Sequence, residues 1–338
     1  MCTDLRLVRL PALHVSARTL DFAYETHSRV QVVPRGQQFE ATATGTSTPA
    51  LTWSNDLGFV AMDAFGFDSY FCDGLNEAGL SIGTLWLPET DLTTNAPETG
   101  PAAIDFVNLA GWLLGTCRTV ADVRSALTSA AIWNAAIERL WPHSKPVPDP
   151  LKPLMGFAFT EHLAVHDAHG GDLVVEFVDG GIQIHDNPAG VLTNSPTFPW
   201  HQTNLRNYIG LTNQESPPYN LMDMPVTATG NGTGLLGLPG DVTPPSRFVR
   251  ATVLSQVADT QMAARDAVNQ AFHSLDLVSV PRQLAASGDY TQWYVVRDHD
   301  NLVYYARSYD GWSTDAHDLT ALGVTAAGAR RAFDLPRV

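Results

Sequence analysis

Leu57-Gly58-Phe59-Val60-Ala61-Met62-Asp63-Ala64-Phe65 is a short apolar run with a single carboxylate inside it. Its length and its Val and Phe content suit a strand rather than a helix. Ser69–Cys72 and Leu80–Leu87 read as further strands, and Asn76-Glu77-Ala78-Gly79 supplies the turn before the second of them. Toward the N-terminus, residues 2–10 alternate weakly and suit a strand. Val30–Val33 suits another, closed by the turn signal Pro34-Arg35-Gly36. Toward the C-terminus the period changes. Ala102–Cys117 has helical apolar spacing at Phe106, Leu109, Trp112 and Leu113. Val120–Ala130 is predicted as a helix with Thr119 as its N-cap, and Ala131–Leu140 as a third helix.

Beyond Trp141–Leu154, a proline-rich irregular connection, strands resume at Met155–Val165 and Leu173–Phe177. Asp179-Gly180-Gly181 turns the second of these into Ile182–His185. Residues 217–245, rich in Pro, Gly and Thr, read as a long loop. Helices follow at Arg247–Ala258 and Gln261–Phe272. The last strands are Thr291–Arg297 and Leu302–Tyr309, joined by a polar turn at Asp298–Asn301. Runs of strands and runs of helices predict a layered α+β domain built on mostly antiparallel sheet. No repeat or linker divides the chain, so residues 2–338 are read as one domain.

Composition excludes several classes of function. With 20 Lys and Arg against 35 Asp and Glu, the net charge of −15 repels phosphate backbones and anionic lipid. No apolar run approaches the roughly 18–20 residues of a membrane span. No signal peptide is visible, so the chain as written reads as cytoplasmic, or as periplasmic or secreted if a longer precursor exists. Three cysteines without framework spacing argue against a disulfide scaffold, and Cys72 and Cys117 read as buried free thiols. Gly230-Asn231-Gly232-Thr233-Gly234 lacks the Lys of a phosphate loop. Glu161, His162 and His166 imitate a zinc motif, but the segment reads as strand, and His166 and His169 are expected at a solvated turn. Neither a metal nor a cofactor is expected.

Cys2 follows the initiator methionine directly. A small second residue permits removal of Met1, which would leave a cysteine with a free α-amine of pKa about 7.7–8.0. Such an amine can take the thiol's proton directly or through one water, so one residue supplies nucleophile and base. Ser16-Ala17-Arg18-Thr19-Leu20-Asp21-Phe22 then places a cation and a carboxylate three residues apart in an apolar stretch. Arg18 is a fixed charge of the kind that favours thiolate, and Asp21 can orient an α-ammonium. By themselves these two residues also describe an ordinary surface ion pair.

Taken in order, the short segments resemble the choloylglycine hydrolase family, the conjugated bile acid hydrolases and penicillin V acylases of the N-terminal nucleophile class. The likeness runs through Cys2, Ala17–Phe22, Val33-Pro34-Arg35-Gly36, Asp73-Gly74-Leu75-Asn76-Glu77-Ala78-Gly79-Leu80, Leu192-Thr193-Asn194-Ser195-Pro196, Ser246-Arg247-Phe248-Val249-Arg250-Ala251 and Thr291-Gln292-Trp293. The resemblance implies a four-layer αββα sandwich and an amidohydrolase acting on linear amides. By position Cys2 matches the nucleophile, Arg18 and Asp21 the residues that hold it, and Arg247 an arginine at the site. Asn194 matches an oxyanion-hole asparagine, and Trp86 matches the residue whose main-chain N–H is the second oxyanion donor.

Tyr24 and Trp86 are aromatic positions near these residues, suited to an aromatic or flat acyl group. In this they look more like Gram-negative-type penicillin V acylases, which often also cleave long-chain N-acyl homoserine lactones, than like bile salt hydrolases. The competing readings are a conjugated bile acid hydrolase and a binding protein that keeps the fold without catalysis. The resemblance also implies a homo-oligomer, commonly a tetramer.

Overall fold

A computed structural model describes residues 1–338 except 11, 68, 142–145, 148–151, 153–154, 258–260 and 338. Much of the predicted irregular connection at 141–154 therefore lies outside the described residues. The strands in chain order are β1 (Cys2–Arg6), β2 (Val15–Phe22), β3 (Arg29–Val33), β4 (Gln38–Glu40), β5 (Thr52–Ser54), β6 (Phe59–Asp63) and β7 (Phe71–Asn76). They continue with β8 (Ser81–Trp86), β9 (Ala103–Asp105), β10 (Ala131–Trp133), β11 (Glu161–His166), β12 (Asp172–Val178), β13 (Gly181–Asp186) and β14 (Val191–Leu192). The last are β15 (Tyr219–Leu221), β16 (Met224–Val226), β17 (Tyr290–Asp298), β18 (Val303–Ser308), β19 (Asp315–Asp318) and β20 (Arg331–Asp334). The helices are α1 (Phe106–Thr116), α2 (Val120–Ser129), α3 (Ile137–Leu140), α4 (Phe198–Asn204), α5 (Pro244–Gln256) and α6 (Ala264–Asp276).

Two antiparallel sheets carry the fold. One has the order β14-β1-β2-β17-β18-β19 and the other β13-β12-β11-β8-β7-β6-β3-β20. Helix α1 packs on β7 and β8 of the larger sheet, whereas α5 packs on β1 and α6 on β2 and β17 of the smaller one. The layers are therefore helix, sheet, sheet, helix, the predicted αββα sandwich, and one continuous apolar core threads them. Among the described residues no helix is long and apolar enough to cross a membrane.

Local chemistry explains most of the boundaries. Thr119 caps α2 in a full capping box with Asp122. Asp179 and Gly180 both take positive φ, 55° and 70°, as a two-residue turn joining β12 to β13 requires. Two helix predictions need correction. Ala103–Asp105 forms β9 ahead of α1, and Ala131–Trp133 forms β10 parallel to it, so the helix expected over 131–140 shrinks to α3. Burial of Trp133 against this ladder outweighs the weak helical spacing. The 217–245 segment is not wholly loop either, since β15 and β16 form a small hairpin within it.

Strand β2 was not marked by alternation, and its burial explains why. Val15 to Asp21 are all buried, because one face meets the helix layer and the other meets the second sheet. The inter-sheet face carries charge. Arg18 Nη1 lies 3.2 Å from Asp73 on β7, and Asp73 also takes Arg297 Nε at 3.0 Å and the Tyr304 hydroxyl at 2.9 Å. Arg297 reaches Asp4 at 2.9 Å, and Asp4 accepts from His166 at 2.7 Å. Gly83 leaves the room for this cluster, since a Cβ there would lie 3.0 Å from Asp4 and 3.3 Å from Arg18 and Arg297. His166 is thus buried rather than solvated, held between Asp4 and Asp172.

Candidate active site

Cys2 is the first residue of β1 and pairs with Leu20 on β2. Its Sγ lies 3.6 Å from Arg18 Nη2. Arg18 is fully buried, and its guanidinium is fixed by the Cys72 and Thr84 carbonyls as well as by Asp73. Burial works against its charge, but Cys2, Asp73 and Cys72 outweigh burial and hold the guanidinium firmly protonated.

Around the Cys2 backbone the groups are equally fixed. The Cys2 N–H donates to Asn194 Oδ1 at 2.8 Å, and Arg247 Nη2 donates to the same oxygen at 2.8 Å. Arg247 Nη1 donates to the Cys2 carbonyl and to Thr3 Oγ1, each at 2.5 Å. Asp21 stands 3.7 Å from Arg247 Nη1 and accepts from Thr291 Oγ1 at 2.5 Å through one oxygen. Its other oxygen, Oδ2, is buried and makes no hydrogen bond. Burial raises the Asp21 pKa, while Arg247 opposes the rise. Arg18 and Asp21 are therefore not an ion pair with each other. Arg18 reaches the Cys2 thiol, whereas Asp21 faces Arg247, which holds the Cys2 carbonyl.

Asn194 Nδ2 donates to the Trp86 carbonyl at 2.7 Å. Leu87 N–H is given to Thr160 across the β8–β11 pair. Alternation in an antiparallel ladder then turns the main-chain groups of Trp86 and Thr84 to the opposite edge. Their carbonyls are met there by Asn194 and Arg18. The Trp86 N–H faces the same edge, beside Asn194. The structure thus brings Cys2, Arg18, Asp21, Asn194, Arg247 and Trp86 together. The Tyr24 ring packs edge-on against Phe22 at a centroid distance of 5.9 Å.

A small cavity of about 40 Å³ is lined by Cys2, Arg18, Asp21, Phe22 and Trp86, with Tyr70 and Glu161 also on its wall. Tyr70 donates to Glu161 Oε1 at 2.7 Å, and burial raises the Glu161 pKa. Phe22, Phe65, Trp86 and Phe159 also line an adjoining cavity of about 330 Å³, with Trp141 and Phe157 on its wall. This aromatic chamber was not legible in sequence. Its rings come from the end of β2, the end of β8 and the irregular stretches after β6 and before β11, and no periodicity links them.

Glu161, His162 and His166 do lie on a strand, β11. His162 bridges Glu176 at 3.2 Å and the Thr193 carbonyl at 3.1 Å. Cys72 and Cys117 are free and buried, and burial pushes the Cys117 thiol up to about 11.

The αββα layers and a strand-borne cysteine at the head of the smaller sheet define an N-terminal nucleophile hydrolase fold. Residues 2–325 match the linear amide C-N hydrolases, choloylglycine hydrolase family, and the chain belongs to that family. The bile salt hydrolase/transferase of Clostridium perfringens is 31% identical over 325 residues, covering 94% of this chain and 92% of that protein. The penicillin V acylase of Pectobacterium atrosepticum is 26% identical, over 88% of this chain and 75% of that one. A solved structure of conjugated bile acid hydrolase from Clostridium perfringens superposes with a TM-score of 0.82 at 28% identity, covering 100% of this chain and 99% of that chain.

Proposed function

We propose that the chain, once Met1 is removed, cleaves acylated amines by attack of the Cys2 thiol on the amide carbonyl, with a penicillin V acylase-like preference for apolar, aromatic acyl groups. The observation that carries this reading is the position of Cys2. It stands between the polar cluster of Arg18, Asp21, Asn194 and Arg247 and an aromatic chamber of a size suited to a small-molecule acyl group.

The proposed chemistry uses this geometry as follows. The α-amine of Cys2 takes the thiol proton, Sγ bonds to the carbonyl carbon, and the carbonyl oxygen becomes an oxyanion. Asn194 Nδ2 has two hydrogens, of which one goes to the Trp86 carbonyl and the other serves the oxyanion with the Trp86 main-chain N–H. Asp21 Oδ2 orients the α-ammonium, and Arg18 supplies the counter-charge for the thiolate. The α-ammonium gives its proton to the leaving amine as the C–N bond breaks. Water then hydrolyses the thioester by the same steps reversed. No metal or cofactor enters this scheme.

A second reading, hydrolysis of glycine-conjugated bile acids, is favoured by relatives named as bile salt hydrolases, which cover nearly the whole chain. Long-chain N-acyl homoserine lactones belong with the first reading, since their acyl chains suit the same chamber. A homo-oligomer is part of the proposal as well. Tyr219, Leu221, Met222 and Met224 expose apolar surface on the β15–β16 hairpin, where a second copy would bury it. Sedimentation equilibrium reads that mass directly.

Amine release from penicillin V, a long-chain acyl homoserine lactone and a glycine-conjugated bile acid tests the function, with Cys2→Ala as control. Release from the first two, lost in Cys2→Ala, is expected. Release mainly from the bile acid overturns the acyl preference and keeps the mechanism.

A further inference from the structure

His201 belongs to none of the motifs above and has no part in the chemistry just described. It lies fully buried on α4, with its Nε2 2.8 Å from the main-chain oxygen of Asn194. A carbonyl only accepts, so Nε2 carries the hydrogen. A second element, α5, meets the same ring. His201 stacks on Phe248 with centroids 4.6 Å apart and planes 14° from parallel, and Phe248 follows Arg247 on α5. One imidazole therefore touches both elements that clasp Cys2.

A second clamp lies one residue away. The Thr193 carbonyl is met by His162 Nε2 at 3.1 Å, and His162 is held by Glu176. Glu176 also accepts the Phe198 N–H at 2.8 Å, at the start of the helix that carries His201. Two consecutive carbonyls, at 193 and 194, are thus fixed by buried imidazoles.

The arrangement is costly. His201 Nδ1 is buried and makes no hydrogen bond, and a phenylalanine would fill the same space without that penalty. The bond from Nε2 is what a phenylalanine lacks. We propose that His201 is a positioning residue for the side chain of Asn194, acting on those steps in which an acyl carbonyl becomes an oxyanion. This rests on the reading of Asn194 as an oxyanion donor. Burial lowers the His201 pKa, which keeps the ring neutral.

The test separates two reactions of one thiol. Acylation of Cys2 by p-nitrophenyl phenoxyacetate passes through an oxyanion and releases p-nitrophenol in a burst. Alkylation of Cys2 by iodoacetamide is displacement at saturated carbon and needs no oxyanion hole. His201→Phe, which keeps the stack on Phe248, should acylate at least about tenfold more slowly at unchanged KM, a part of the loss seen when a donor is deleted outright. Its alkylation, followed by the mass of the N-terminal peptide, should match wild type. His201→Gln, which offers an N–H near the position of Nε2, should recover most of the acylation rate. In an Asn194→Ala background His201→Phe should add no further loss.

Equal acylation in His201→Phe and wild type overturns the proposal, as does a parallel loss of alkylation. If His201→Phe fails to fold, His201→Leu takes its place, and failure of both makes the ring a structural element and overturns the proposal. A wild type that gives the burst but cleaves none of the three amides overturns the substrate reading and leaves this inference standing. A wild type that releases no p-nitrophenol and cleaves none of the three amides removes both.

Discussion

Arg247 Nη2 lies 2.8 Å from Asn194 Oδ1, the oxygen that also accepts the Cys2 N–H. Two donors on one oxygen fix the amide's orientation, because a flipped Asn194 would turn its NH2 against both of them. The NH2 group is therefore held on the Trp86 side, where an oxyanion would form. In the proposed chemistry Arg247 acts through that group rather than on the substrate carbonyl itself.

Asn194→Asp tests this relation closely. The carboxylate keeps both acceptor contacts and loses the NH2 donor. It should lower kcat by about 10²–10³, as removal of an oxyanion donor does, while KM changes little. Asn194→Ala should lower kcat as much and also lower the melting temperature, since Arg247 and Cys2 each lose an acceptor. Unchanged kcat in Asn194→Asp would remove this residue from the chemistry.

The α-amine is the second point of test. Cys2→Ala should have no turnover and an unchanged fold, and Cys2→Ser should be far slower than wild type, because an alkoxide is much harder to form than a thiolate. A tag fused ahead of Cys2 and later cleaved gives a cleaner comparison. The fused protein should be inert, and cleavage that leaves Cys2 first should restore amine release. Equal rates before and after cleavage, with N-terminal masses in hand, would exclude the α-amine as base.

Cys2, Arg18 and Asp21 could be singled out in the sequence by a cysteine second from the start and by a charge pair inside an apolar stretch, whereas Asn194 and Arg247 were singled out only by the resemblance to the choloylglycine hydrolase family. Thr119 announced α2 because a cap is a local event. Strand β2 was not announced, since burial on both faces erases alternation and Arg18 and Asp21 look like surface residues until their partners are known. Asp73, Arg297 and Asp4 meet only through the pairing of two sheets. The aromatic chamber is assembled the same way, from segments far apart in the chain, and so is the stack of His201 on Phe248.

The inter-sheet charges make a prediction about pH. Burial pulls the His166 pKa down, but Asp4 and Asp172 outweigh it and push the pKa up from the usual 6.5 to about 9. Burial pushes the Asp4 carboxyl up, but Arg297 and then His166 outweigh it and hold Asp4 well below the usual carboxylate range. Between those two His values the folded state binds a proton that the unfolded state has released. His166 therefore stabilises the fold fully below pH 6.5, and the contribution is lost as pH rises through about 9. Across that window the stability gap between wild type and His166→Gln should shrink by on the order of 3 kcal/mol, read by urea unfolding. A constant gap would mean that His166 does not carry this charge.

Trp86 has two proposed duties that one substitution can separate. Its main-chain N–H faces the edge of β8 that Asn194 meets, and the residue lines both the small cavity at Cys2 and the aromatic chamber that adjoins it. The residue is 36% exposed, so removing its ring does not open the core. Trp86→Ala keeps the N–H and deletes the wall. KM for penicillin V should rise about tenfold, for roughly 1.4 kcal/mol of lost ring contact, while kcat stays within a few-fold of wild type. Phe22 meets the indole at a centroid distance of 6.4 Å and would lose its neighbour, so Phe22→Ala in the same background should cost less than it does alone. A fall in kcat with KM unchanged would instead place the indole at the reacting carbonyl, and the acyl group would then have to lie elsewhere than in the aromatic chamber.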